Sequence, residues 1–231
     1  AQQAGMSFEA YQDFVYDAVL RDWESLADEM AQLKTILDEG EEVHIETPTT
    51  DLRLSIADRT AVNSAASVAY DSHNLPSGEV FTAPSDAEGT ITFDLPRTVD
   101  GTRLAGVELT IEDNEVVDYA ADQGEETLRE LLETDEGASR LGELGIGMNR
   151  GIDRLTDRIL FDEKMAETVH LAIGRAYDAC LPDGETGVDS AIHVDLRADM
   201  RTDSRLSVDG ECIQRNGTFR WEEGFAATKS K

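Results

Sequence analysis

Lysine is nearly missing from this sequence: Lys34, Lys164, Lys229 and Lys231 are the only four in 231 residues. The other sixteen of its twenty basic side chains are arginines, scattered along the chain. No basic stripe exists to displace the counterions of a phosphate backbone, which argues against a nucleic-acid partner. Cysteine is scarce too. Cys180 and Cys212 allow at most one disulfide, and neither sits in a C-x-x-C motif, so both are expected to be reduced and at least partly buried. No apolar run approaches the ~18–20 residues of a membrane helix, and a membrane partner is not expected. The opening Ala-Gln-Gln-Ala-Gly has neither the basic start nor the apolar centre of a signal peptide. A cytoplasmic protein is expected.

What the chain has in excess is negative charge. Forty-nine Asp and Glu against twenty Lys and Arg give a net charge of -29. In dilute salt such a charge repels itself and opposes the compact state. At about 1 M salt the Debye length is only ~3 Å, and most of that repulsion is screened. An acidic excess that keeps arginine over lysine is the habit of proteins from salt-accumulating, archaeal-type halophiles. Disorder is not the explanation, because 40% of the residues are hydrophobic and apolar periodicity runs through most of the chain.

The periodicity predicts an α+β fold: N-terminal helix, then a mostly antiparallel mixed-sheet body. Phe8, Tyr11, Phe14, Val15, Ala18 and Val19 form one apolar stripe in a helical segment, 1–37, which Ser7 can cap and Gly40 can stop. The pattern then changes to alternation. Val43 and Ile45, then Leu52, Leu54 and Ile56 beyond Pro48, predict a hairpin. Strand-like runs follow at 79–83, 90–95, 104–111 and 115–119, and an amphipathic helix over 124–132. Residues 140–151 read as glycine-rich and irregular, and 155–159 as a helical turn or two. Buried strands are expected at 168–173 and 191–197. A closing meander is turned by Asp209-Gly210 and Asn216-Gly217. No linker divides 38–221, which is taken as one domain, followed by a frayed tail over 222–231.

There are four histidines: His44, His73, His170 and His193. In His193-Val194-Asp195 the imidazole and the carboxylate project from the same face of a strand. A buried carboxylate needs a partner, and a metal ion is one. An Asp–His hydrogen bond at a strand end is the other reading. His170 lies in a second strand-like run, and Tyr177 follows it closely enough for its phenol to swing back and donate to an oxyanion. Glu143 stands between glycines in Leu141-Gly142-Glu143-Leu144-Gly145-Ile146-Gly147. The spacing is wrong for a dinucleotide loop, and the glycines instead let backbone pass close by and aim Glu143 inward. A Pro-x-Gly turn delivers Glu79 to the start of a strand. Glu163 belongs to Leu160-Phe161-Asp162-Glu163-Lys164, which by itself reads as an exposed helix cap. Divalent Zn, Co, Mn and Mg accept mixed carboxylate and imidazole ligands. A two-metal site takes about five to seven such groups, with one carboxylate between the ions. Glu79, Glu143, Glu163, His170, His193 and Asp195 have that composition.

Five stretches occur in a fixed order: Pro76–Thr82, Leu141–Gly147, Leu160–Lys164, Val169–Tyr177 and the His193-x-Asp195 strand. Together they resemble the aminopeptidase T / aminopeptidase S family of two-metal metallopeptidases over roughly residues 4–215. The resemblance implies Glu79, Glu143, His170, His193 and Asp195 as metal ligands, with Glu143 at or near the bridging position. It implies Glu163 as a further ligand, Glu143 or Glu163 as the proton acceptor and Tyr177 as the catalytic phenol. It also implies two divalent ions, peptides with a free N-terminus as substrates, and a homodimer. Family members carry an amino-terminal α/β domain ahead of the Ala4-Gly5-Met6-Ser7 helix, and this chain opens at about that helix. In the family that domain helps to enclose the active-site cavity and the dimer, so the ligand set is expected in this stretch whether or not the stretch is active alone. Two other readings stay open from the residues alone: a metallohydrolase of another substrate, and a non-catalytic metal-binding or assembly module.

Overall fold

Two helices begin the chain. A computed structural model describes residues 1–2, 4–65 and 74–225. In α1 (Phe8–Val19) the Ser7 side chain accepts from the Ala10 amide and satisfies one of the free donors of the first turn. In α2 (Trp23–Glu39) Asp22 does the same for Ser25. Leu26, Ala27, Met30, Leu33 and Leu37 recur at three- and four-residue spacing and are buried along one stripe. Each fully buried leucine contributes about 1.5–3 kcal/mol. The α1 stripe is less covered: Phe14 and Ala18 pack in a small separate cluster with Ile152 and Met165.

The remainder is mainly sheet, so the chain is α+β, as the pattern predicts. The first sheet uses β1 (Glu42–Thr47), β2 (Thr50–Ser55), β5 (Asp86–Phe93), β6 (Arg97–Val99), β7 (Thr102–Glu112), β8 (Glu115–Gln123), β12 (Arg205–Val208), β13 (Glu211–Arg215) and β14 (Thr218–Phe219). Its order is β14-β13-β12-β1-β2-β5-β7-β6, with β8 also on β7. The second sheet has order β11-β10-β9-β4-β3, from β3 (Val62–Ser64), β4 (Glu79–Thr82), β9 (Leu141–Gly147), β10 (Thr168–Gly174) and β11 (His193–Asp199). Its ladders are all antiparallel. Between β8 and β9 lies α3 (Glu125–Leu132), and a single turn, α4 (Ile159–Asp162), precedes β10.

One contiguous apolar cluster takes side chains from α2 and from both sheets. The second sheet contributes Leu144 and Ile146 of β9, Val169, Leu171 and Ile173 of β10, and Val194, Leu196 and Ala198 of β11. Successive strand residues face opposite ways, so the alternate residues of these strands form a second face, turned away from that cluster.

Two expectations need correction. Residues 141–147 are a fully buried strand and not an irregular stretch, with one register shift against β10 between Glu143 and Leu141. The helical turn predicted over 155–159 lies later, at α4, because the Asp162 carboxylate accepts from the Thr156 amide and hydroxyl and holds the preceding segment in a non-helical course. The sequence reading also passed over β3 and β6, three residues each and too short for a periodic signal. His73 and residues 226–231 of the tail fall outside the described residues. Among the described residues, no helix is long and apolar enough to cross a membrane.

Candidate metal centre

The second face of the five-stranded sheet collects the chemistry. Glu79 comes from β4, Glu143 from β9, His170 from β10, and His193 and Asp195 from β11. In register, His170 lies opposite Gly145, Glu143 opposite Ala172, Asp195 opposite Ala172, His193 opposite Gly174, and Glu79 opposite Gly147. Each of the five therefore has a small cross-strand neighbour over which to lean. At Gly145 the space is already used: a Cβ there would fall inside the His170 ring.

The distances are short. His170 Nε2 is 3.1 Å from Glu143 Oε1 and 3.6 Å from Glu79 Oε2. His193 Nε2 is 3.6 Å from Glu143 Oε2 and 3.4 Å from Asp195 Oδ1. Each carboxylate oxygen of Glu143 thus faces a different histidine. His193 Nδ1 lies 2.7 Å from the carbonyl oxygen of Arg175. Donation there turns Nε2 toward the carboxylates, the orientation that a metal-binding imidazole needs. The Glu143, His170 and Asp195 ligand atoms lie within 4.8 Å of one another.

The sequence candidates at the edge of the cluster fall as follows. Glu163 pairs with Lys164, whose ammonium is also 3.0 Å from Glu79 Oε1, and among the described residues it has no ion pair with a histidine. Tyr177 lies beside His193, with ring centroids 4.9 Å apart, and its other side meets Phe81 at 5.6 Å. Its phenol is half-exposed. His44 is elsewhere, paired with Asp51 at 2.7 Å on the first sheet. A surface cleft of about 720 Å³, lined by Glu29, Arg150, Trp221 and Glu222, contains none of these groups.

Two cations escaped the sequence reading. Lys164 is wholly buried, although its motif reads as a surface cap. Its one sequence signal is rarity, a lysine kept in an arginine-rich chain beside an acidic pair. Arg97 donates from Nη1 to the carbonyl of Asp195 at 2.6 Å and lies 3.5 Å from its Oδ2. Ninety-eight residues separate the two, and no local pattern announces the contact.

The electrostatics show what the cluster needs. Burial pushes Glu79 up to about 7, against the opposing charge of Lys164. Burial also raises Glu143, despite its hydrogen bond with His170. Burial alone would lower His170, but the hydrogen bond to Glu143 and the charges of Glu143, Glu79 and Asp195 outweigh it and lift the imidazole to about 9. His193 rises to about 9 in the same way, burial being outweighed by Asp195 and Glu143. Asp195 moves down: burial acts against ionisation, and His193, His170 and Arg97 together overcome it. Burial thus resists ionisation of Glu79 and Glu143, while the carboxylates together hold positive charge on the histidines. Glu79 Oε2 and Glu143 Oε2 are buried with no hydrogen-bond partner among the described residues. Orphaned carboxylate oxygens beside imidazoles whose protons a cation would displace fit a divalent cation.

Comparison with known proteins gives an independent line. The model of the thermophilic metalloprotease (M29) family matches residues 1–219. Aminopeptidase 2 of Geobacillus stearothermophilus is 38% identical over 170 residues, 64% of this chain and 40% of its own length. Aminopeptidase T of Thermus thermophilus is 34% identical over 192 residues, 76% of this chain and 46% of its own length. The solved structure of wild-type AmpT from Thermus thermophilus superposes with a TM-score of 0.77 at 30% identity, covering 89% of this chain and 57% of that one. A 2,5-dihydroxypyridine dioxygenase from Pseudomonas putida KT2440 shares the fold, with a TM-score of 0.71 at 16% identity. The chain spans less than half the length of these two curated relatives.

Proposed function

Because the chain belongs to the thermophilic metalloprotease (M29) family, we propose that it bears the metal centre of an aminopeptidase, which removes N-terminal residues from peptides. The observation that carries this reading is the division of Glu143 between two histidines. One group is Glu143 Oε1, His170 Nε2 and Glu79 Oε2; the other is Glu143 Oε2, His193 Nε2 and Asp195 Oδ1. A carboxylate that offers one oxygen to each of two groups suits the bridge of a two-ion site. Zn, Co, Mn or Mg are the divalent candidates for such a donor set. Bound there, such ions supply Lewis acidity toward the scissile carbonyl and the α-amine, and an acidified water as nucleophile.

The protein groups divide the remaining work. In this reading Glu163, one-sixth exposed at its side chain and held by Lys164, accepts the proton. Tyr177 keeps its proton, because burial and then the charges of Glu143 and Asp195 push the phenol up to about 12. A protonated, half-exposed phenol beside His193 can donate to the oxygen that gains charge in the transition state. Phe81 backs the Tyr177 ring and limits its motion.

The test is release of p-nitroaniline from leucine or arginine p-nitroanilide, with and without Co²⁺ or Zn²⁺, in about 2–3 M KCl, where screening is nearly complete. Metal-dependent turnover removed by EDTA is expected. Metal bound without turnover would replace this reading with a non-catalytic metal-binding module. Turnover confined to esters or phosphates would replace it with a different metallohydrolase.

A further inference from the structure

The Lys164 ammonium has no access to solvent, and removing a lone ammonium from water is costly unless it is paired. Its carboxylate partners are Glu79 and Glu163. The pairing divides the two oxygens of Glu79: Oε1 is taken by Lys164 at 3.0 Å, and Oε2 is left toward His170 at 3.6 Å. The terminal torsion of a glutamate is broad and roughly two-fold, so without a fixed donor either oxygen could face the histidine.

The backbone that carries Lys164 is built against the sheet. Gly147 is the register partner of Glu79, and a Cβ on Gly147 would strike the Met165 carbonyl. The strand therefore gives up a side chain where the 164–165 backbone crosses it. Asn149 fixes that crossing: its amide donates to the Lys164 carbonyl at 2.9 Å, and its carbonyl accepts from Ala166 at 3.2 Å. Sixteen of twenty basic residues in this chain are arginine, yet this position keeps a lysine, a compact point donor and not a planar fork. Arg97 treats Asp195 similarly at the other end of the cluster, lying 3.5 Å from Oδ2 while Oδ1 faces His193.

We propose that Lys164 is a positioning residue: its ammonium holds Glu79 by Oε1 so that Oε2 alone is presented to the metal site. This rests on the metal-centre reading above, but not on the identity of the substrate. The test is titration of the metal-free full chain with Zn²⁺ by calorimetry and with Co²⁺ by visible absorption, in about 2–3 M KCl. In folded Lys164→Met, Glu79 is free to turn, and one ion should bind about 10–100-fold more weakly with an altered Co²⁺ spectrum. Lys164→Gln keeps an N–H donor without the charge, and should bind within about threefold of wild type. If Lys164→Met does not fold, Lys164→Arg carries the test, because its longer fork keeps the charge but holds Glu79 elsewhere. Weaker binding in that variant is expected, and wild-type binding would overturn the proposal. Unchanged or tighter binding in folded Lys164→Met overturns it too, since the ammonium would then only repel ions. Lys164→Gln as weak as Lys164→Met removes the hydrogen bond as the cause and overturns it equally. A wild-type chain that binds no ion overturns both this proposal and the metal-centre reading. Metal binding without peptide turnover would sink the aminopeptidase reading alone.

Discussion

Gly145 lies outside the left-handed region of backbone space, so an alanine there meets no conformational barrier. Replacing glycine by a residue that the backbone tolerates usually stabilises a protein by about 0.4–1 kcal/mol. The structure reverses that sign. The three heavy atoms nearest to a Cβ at Gly145 all belong to the His170 ring, and the strand around it is fully buried. The ring must move, and forced overpacking of a dense interior costs about 1–3 kcal/mol. For a chain of this size each kcal/mol lowers Tm by about 2–4 °C, so Gly145→Ala should lower Tm by about 2–12 °C. The displaced ring also leaves Glu143 Oε1, and Zn²⁺ affinity should fall on the order of 10–100-fold. The assay is a double-mutant cycle by thermal or denaturant unfolding. With His170→Ala in place the obstacle is gone, and Gly145→Ala should then cost less than about 0.5 kcal/mol. A cost that persists in the His170→Ala background would refute the argument, since the strand and not the ring would be its source. A wild-type Tm for Gly145→Ala would refute it more directly.

Tyr177→Phe should lower kcat more than it weakens metal binding, because the phenol touches His193 but is not among the ligand groups; an unchanged kcat on the p-nitroanilide would refute its role as oxyanion donor. Raising KCl from about 0.1 M to about 3 M shortens the Debye length from ~10 Å to below ~3 Å. With a net charge of -29 the Tm should climb across that range, and a flat Tm would mean that self-repulsion is not what limits the fold. Burial, and then the charge of Glu143, push the Cys180 thiol up to about 12. At about pH 8 a maleimide should therefore modify the partly exposed Cys212 first and reach Cys180 only on unfolding; equal rates by mass spectrometry would contradict this.

The parts of the fold that rest on local rules were legible. Asp209 and Asn216 take positive φ at the two hairpin turns their dipeptides predict, and Ser7 caps α1. The Val43/Ile45 and Leu52/Leu54 alternation pairs as β1 with β2. What could not be read depends on partners far away in sequence. Nothing in the β12 run shows that it closes against β1, and nothing near Arg97 shows Asp195. The Leu160–Lys164 stretch misleads for a related reason. Its charges look solvated in one dimension, but Asp162 faces Arg197 at 3.1 Å and Lys164 faces Glu79 at 3.0 Å, all four buried.

The misread strand shows the more general point. Glycine is a poor strand former, and three in seven residues lowered the expectation for 141–147. Yet a polar cluster on a sheet face must be wider than one strand. Neighbouring strands are only about 4.8 Å apart, and side chains that converge on one point have to lean across the strands between them. The positions beneath must then be small. Here the central strands supply Glu143 and His170 to that face, with Thr168 at its end, and the positions nearest the two, Gly145, Gly147, Ala172 and Gly174, carry no bulk. Glu79 and the His193–Asp195 pair reach in from β4 and β11 on either side. The glycines that look like breaks in a strand are thus the floor of the site, and the pattern to seek is a carboxylate or imidazole with small residues two positions away on a run whose alternate residues are apolar.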